Sequence, residues 1–407
     1  SSISVFSGVL ADGSAFIFTG ILGDTIASGT TTLESVDVAP ADTTPMVVSS
    51  GDASKKGLRA GQTLIITGDA QVRDGFEAVG GTLNIEGGTV GEQLATVNTE
   101  VNITGGSVER FFEAFGGSEV NISGGTLRGF GAFPGSEVNI SGGSVERGFS
   151  AFGGSEVNIS GGEFTFNGAS ASSIDSVGSG DVLAGVLADG GAFIFTGPHA
   201  PGTTTLQTVD VAPADTTPVV VSSGDAPSKG LRAGQTLTIT GDAQVRQAFD
   251  AVGGTLNIES GTVGERLAAV NTEVNITGGS VGSFFQAYAG TTVNISGGSL
   301  GGLIAHEGST VNLFVTDISI GGIDLGLSLG ETMEITQRSR LLEATLADGT
   351  GFDLSLFNQI IFPVVDRIDD DATLTVTLVP TPGAASVLGL ACLLAARRRR
   401  ATAGILT

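Results

Sequence analysis

The motif Val101-Asn102-Ile103-Thr104-Gly105-Gly106 recurs as VNISGG at Val120, Val138 and Val157, as VNITGG at Val274 and as VNISGG at Val293. Variants begin at Leu64, Leu83, Leu237, Leu256 and Val311, and successive starts within each set are 18 or 19 residues apart. A repeat this short cannot hold a helix–turn–helix unit. It suits three strands of about four residues joined by tight turns, with coils about 4.8 Å apart. In V-N-I the alternation turns Val and Ile inward and Asn outward. Gly-Gly then permits a bend, and a second apolar position follows: Val90, Val108, Leu127, Val145, Val263, Val281 and Leu300. The third strand reads apolar-x-Ala-apolar, as in Phe112-Glu113-Ala114-Phe115 and the segments from Phe130, Phe149 and Phe285. Matching residues stack from coil to coil, so the predicted interior consists of ladders of Val, Ile and Phe. The predicted fold is all-β: a parallel β-helix, right-handed in preference to left, because a left-handed hexapeptide helix would keep a stricter six-residue period.

A longer duplication overlies the coils. Residues 30–108 align with 203–281 without a gap at about 85% identity. Each cassette is preceded by GVLADG-x-AFIFTG, at Gly8 and Gly185, and a third relative, Leu346-Ala347-Asp348-Gly349, follows the last coil. Asp-Gly between apolar runs predicts a β-hairpin, and such hairpins can cap solenoid ends that otherwise expose unpaired strand edges. The expected organisation is a hairpin cap at 1–29, a first solenoid cassette at 30–168, a linker with the second hairpin at 169–202, a second cassette at 203–325, a C-terminal β cap with the third hairpin at 326–378, and a tail at 379–407.

Composition agrees with an array and excludes some functions. Gly reaches 65 of 407 residues, Trp is absent and charged residues are 15%, more than twice the usual Gly share without a collagen register. The net charge is −24, and without the four arginines 397–400 the acidic excess would be 28. So acidic a body repels phosphate backbones, which argues against nucleic-acid binding and suits a cation-rich exterior. The one cysteine, Cys392, lies in the apolar tail, so disulfides contribute nothing to the body. Ser1 follows neither Met nor a basic leader, which leaves a removed signal peptide and a fragment equally open.

Residues 379–400 read VPTPGAASVLGLACLLAARRRR. The thirteen apolar or small residues 384–396 would make a helix of about 20 Å, short of a hydrocarbon core of about 30 Å. Snorkelling and local thinning can close part of that gap, with the arginines held in the cytoplasm. Motif, apolar stretch and arginine run together resemble a PEP-CTERM sorting signal, the substrate of exosortase transpeptidases in Gram-negative-type bacteria. Pro380-Thr381-Pro382 stands where that family usually has Pro-Glu-Pro, Arg397, Arg398, Arg399 and Arg400 supply the basic run, and seven residues follow it. The VNISGG coils and LADG hairpins also resemble the Gly-rich β-helix proteins that often carry this tail. The resemblance implies a short C-terminal hydrophobic helix, transient inner-membrane anchoring, cleavage near Pro382, and retention at the cell surface or in exopolysaccharide, as in a biofilm matrix.

Parallel β-helices include polysaccharide lyases, which need a base and usually acid-bound Ca²⁺. The three lysines, Lys55, Lys56 and Lys229, all lie in the pre-coil loops 36–59 and 209–232, and Arg110, Arg128 and Arg147 recur at coil spacing as a surface ladder. No long loop interrupts the coils to build a cleft, so no catalytic or cofactor-binding residue is assigned. His199 sits beside prolines and His306 fills the slot held by Phe or Tyr in earlier coils; without Cys or spaced carboxylates they make a poor metal site. The Asn-Ile-Ser/Thr triplets match the N-glycosylation pattern. Glycans about 4.8 Å apart would collide, which favours an Asn ladder with amide hydrogen bonds between coils. Glu100, Glu119, Glu137 and Glu156 form one acidic column, expected as a solvated face, with a Ca²⁺ site as the alternative. Asp366, Asp369, Asp370 and Asp371 form a second acidic cluster. The expectation is a non-enzymatic surface or matrix protein, structural or adhesive. A polysaccharide-degrading enzyme, or an ice-binding or carbohydrate-binding solenoid, are the alternatives.

Overall fold

The computed structural model describes residues 3–21, 34–53, 56–146, 148–174, 180–196, 202–357 and 366–381. They are all-β, with no helix among them. The expected C-terminal helix, with Pro382, Cys392 and the four tail arginines, lies outside the described residues, as do Lys55, Arg147 and His199. Two compact units divide the chain, residues 1–213 and 214–407.

Each unit is a β-solenoid of parallel, in-register coils. In unit 1, Glu100–Ile103 pairs with Glu119–Leu127, which pairs with Glu137–Val145, which pairs with Glu156–Phe166. Val101, Val120, Val138 and Val157 stack in one column, and all four are fully buried, as are Ile103 and Ile159. Unit 2 repeats this through Thr255–Ile258, Glu273–Val281, Thr292–Leu300 and Thr310–Ile320. Burial follows the alternation read from V-N-I: inward Val and Ile are lost from water, and Asn is half-buried on the outer side.

The coil has two sheets where the sequence predicted three strands. V-N-I and the following apolar position belong to one sheet, often as one continuous strand such as Glu119–Leu127, with register shifts at the glycines. The Gly pair acts as a bulge inside the strand instead of a turn that ends it. Gly125 shows why no other residue serves: its φ is +74°, and an added Cβ would lie 2.7 Å from the Gly105 carbonyl oxygen one coil below. Short strands such as Phe112–Ala114, Phe130–Ala132 and Phe149–Ala151 form the second sheet.

Only part of the expected Phe ladder lies in the main core. Phe112, Phe130 and Phe149 join the Val and Ile columns, with ring centroids 6.5 and 5.4 Å apart. The second aromatic of each F-x-A-F, at Phe115, Phe133 and Phe152, belongs to a separate apolar cluster with Ile17 and Val97. Phe115 follows the inward Ala114 directly, so strand alternation turns it away from the core.

The second and third LADG hairpins close the solenoid units in the same way. In unit 1 the last long strand, Glu156–Phe166, is covered over one half by parallel Thr203–Thr208 and over the other by antiparallel Val182–Leu187. In unit 2, Thr310–Ile320 is covered by parallel Thr373–Leu378 and antiparallel Leu341–Leu346. Phe193 and Phe195 of the second hairpin, each 2% exposed, cover the end of the Phe column, with Phe195 edge-on to Phe149 at 5.2 Å. The first hairpin, Ile3–Val9 with Ala15–Ile21, is a separate two-stranded sheet, paired with no coil strand among the described residues.

Candidate functional site

Two outer columns of the long sheet contain residues singled out in the sequence. The first is the asparagine ladder. In unit 1, Asn102 donates from Nδ2 to Oδ1 of Asn84 (3.0 Å), Asn121 to Asn102 (3.1 Å), Asn139 to Asn121 (3.0 Å) and Asn158 to Asn139 (3.0 Å). In unit 2, Asn275 donates to Asn257 (3.0 Å), Asn294 to Asn275 (2.8 Å) and Asn312 to Asn294 (2.8 Å). Thr238 begins that chain as acceptor from Asn257, and the Thr375 hydroxyl ends it as donor to Asn312. One amide per coil, each interior one donating and accepting, is what in-register parallel stacking permits. These amides are committed to one another.

Beside it stands the glutamate column. Glu100, Glu119, Glu137 and Glu156 are Cα partners across successive coils, and all are exposed. Their carboxylates take part in the ladder: Asn102 donates to Glu100 (3.0 Å), Asn121 to Glu119 (3.3 Å) and Asn158 to Glu137 (3.2 Å). Among the described residues no group of three or more His, Cys, Asp or Glu is gathered closely enough to hold a metal ion. The arginines at coil spacing differ from one another. Arg110 is exposed, whereas Arg128 lies between Glu109 (2.8 Å) and Glu146 (3.4 Å).

A buried hydroxyl column, just before the glutamates, was not singled out in the sequence. Thr99, Ser118, Ser136 and Ser155 in unit 1, and Thr272, Thr291 and Ser309 in unit 2, are at most 3% exposed. Ser136 donates to the Phe133 carbonyl (2.7 Å), Ser309 to that of His306 (2.6 Å), and Thr99 to that of Ala78 (3.0 Å). All but Ser118, whose buried hydroxyl has no hydrogen-bond partner, satisfy carbonyls at the corner where the short sheet turns into the long one. The recurring Gly-Ser-Glu and Asn-Thr-Glu were the available signal.

His306 occupies the predicted aromatic slot. Its ring stacks on Tyr288 at 4.4 Å and 9°, and Nδ1 lies 3.5 Å from Asp369. Burial pulls its pKa down to about 4 against the opposing pull of the Asp369 charge, so the imidazole is neutral at pH 7. The second acidic cluster has structural partners. Asp366 accepts from the N–H groups of Leu303 (3.0 Å) and Ser355 (3.1 Å), and Asp369 binds Arg367 through two hydrogen bonds.

The aspartates of LADG are latches. Asp189 accepts from Gly191 N (2.9 Å) within its own turn and from Gly143 N (3.3 Å) at a coil bend; Asp348 accepts from Thr350 N (2.8 Å) and Gly298 N (3.0 Å). Burial pushes the Asp348 carboxyl up, but these N–H donors outweigh it and hold it below the ordinary carboxylate value. Asp12, in the first hairpin, instead accepts from Ser14.

Comparison with family models, curated proteins and solved structures returned no match.

Proposed function

We propose that this chain is a non-enzymatic structural or adhesive protein of the bacterial cell surface or extracellular matrix, a right-handed solenoid sorted through its C-terminal tail. The observation that carries this reading is the continuous amide ladder on the outer face of each unit. Side chains that in an enzyme would converge on a substrate are here spent on neighbouring coils. The lysine and histidine positions support it: Lys56 donates to the Asp12 carbonyl, and His306 is stacked and neutral. A polysaccharide-degrading enzyme is the weaker reading, because it needs a base placed over a substrate. Ca²⁺ bridging between neighbouring coils of the exposed Glu100–Glu156 column belongs to the same proposal, since carboxylate oxygens suit a hard cation.

The tail resemblance implies an exosortase-type transpeptidase as processing partner, a hydrophobic helix at 384–396 that anchors the precursor in the inner membrane, and a Gram-negative-type host. Localisation in strains with and without that transpeptidase tests the reading. The processed protein should reach the envelope or matrix only when the enzyme is present. An unchanged distribution and a tail still cut in its absence would remove the sorting claim.

A further inference from the structure

The short sheet of unit 1 changes character along its length. Its outward column runs Glu77, Ala95, Glu113, Gly131 and Ser150 in successive coils. The corner residues beside that column are Gln93, Phe111, Gly129 and Gly148, all with positive φ. Where Gly and Ser replace longer side chains, a cavity of about 460 Å³ opens on the sheet. Phe111 forms one wall and the stacked rings of Phe133 and Phe152, 4.5 Å apart, form another. Arg110, Arg128 and Glu113 supply its polar edge.

Phe111 is costly where it stands. Its φ is +65°, in the left-handed region where a bulky side chain costs roughly 1–3 kcal/mol, and the residue is 61% exposed. Gly129 and Gly148 make the same corner in the next coils without that strain. The exposed aromatic stands at the mouth of the cavity. Unit 2 supplies a contrast. Phe284 repeats the corner at φ +63°, but Ile304, 4% exposed, occupies the position of Gly131, and its strand is paired with Arg367–Ile368. The groove therefore depends on the coils at 109–152, beyond the near-identical duplicated stretch.

The wall chemistry selects a ligand class. An aromatic face takes the C–H face of a flat, saturated ring, while planar guanidinium and carboxyl groups at its edge take hydroxyls in the ring plane. Arg128 is held in place by Glu109 and Glu146, and Arg110 is exposed beside Phe111. Burial raises the Glu113 carboxyl above its ordinary pKa, so this group is less firmly ionised than a surface glutamate. We propose that the groove binds a chain of hexopyranose units, one ring lying on Phe111 with its hydroxyls held by Arg110 and Glu113. The inference deepens the matrix-contact reading and rests on it for its biological meaning.

Titration of the purified protein with two probes, cellohexaose and hexagalacturonate, followed by calorimetry, tests it. At least one probe should bind, and the choice between them reports whether the natural chain is neutral or uronate-bearing. Phe111→Gly should bind at least 10-fold more weakly while melting no lower than wild type, because the corner strain is relieved. Gly131→Ile, which copies unit 2, should block the groove. No binding of either probe at millimolar concentration, or equal binding by wild type and both variants, would overturn the proposal. Binding is read in solution, so its failure leaves the sorting claim untouched, and loss of sorting leaves the binding result standing.

Discussion

Asn139 holds two neighbours at once, donating to Asn121 and accepting from Asn158. Phe130 lies in the core between Phe112 and Phe149. Phe130→Asp should therefore cost more than the roughly 3–5 kcal/mol of a Phe truncation, because an unpaired charge enters the core. Asn139→Asp removes one donor and adds a charge to a half-exposed column, a loss of about 1–2 kcal/mol. Thermal or urea melts of the two variants check this order. His306 gives a pH-dependent counterpart. Its folded pKa, about 4, lies below the ordinary 6.5, so the folded state resists protonation. Stability attributable to this group is complete above pH 6.5 and falls as the pH drops towards 4. His306→Phe, which restores the aromatic of the other coils, should flatten the decline in melting temperature between pH 7 and pH 4.5. An unchanged decline would assign the acid sensitivity to other groups.

At the scale of elements, one motif meets two environments. Phe18 and Phe195 occupy the same position in nearly identical hairpins, yet Phe18 is 63% exposed and Phe195 is 2% exposed. Phe195→Ser should cost about 3–5 kcal/mol and Phe18→Ser less than about 0.5 kcal/mol, measured as shifts in denaturation midpoint. The difference marks how far the sequence could be read. Coil length, inward Val and Ile, outward Asn and the hairpins all follow from local periodicity and turn chemistry, and they were legible. The role of the Gly pair as a bulge was not, because a bend within a strand and a turn between strands use the same residue. The separation of Phe115 from Phe112 depends on alternation through a three-residue strand, too short to reveal its phase. The LADG latch joins Asp189 to Gly143 across 46 residues, a pairing that spacing alone does not specify. Nor did the arginine ladder disclose the groove, which arises from the side chains missing at Gly129, Gly131 and Gly148.

For the molecule as a whole, in-register stacking is the common cause of these features. It turns one Val per coil into a core column, one Asn into an amide ladder and one Glu into a line of like charge. That acidic line, on a chain of net charge −24, disfavours the compact state through self-repulsion. If Ca²⁺ bridges it, the melting temperature should rise more with millimolar Ca²⁺ than with NaCl of equal ionic strength, and replacing all four glutamates by Gln should abolish that difference. Equal gains from both salts would leave an ordinary solvated face. The stacking itself is open to a direct covalent test. Cys392 is the chain's one cysteine, so a Cys392→Ala background carries only introduced thiols. Glu119 and Glu137 are Cα partners, whereas Glu119 and Ser141 are four residues out of register on the same pair of strands. Parallel neighbours at about 4.8 Å fall within the Cα range that a disulfide bridges. Under mild oxidation, Glu119→Cys with Glu137→Cys should lose both free thiols to an intramolecular disulfide, while Glu119→Cys with Ser141→Cys should keep them. Equal cross-linking of the two pairs, or faster closure of the second, would contradict the in-register solenoid.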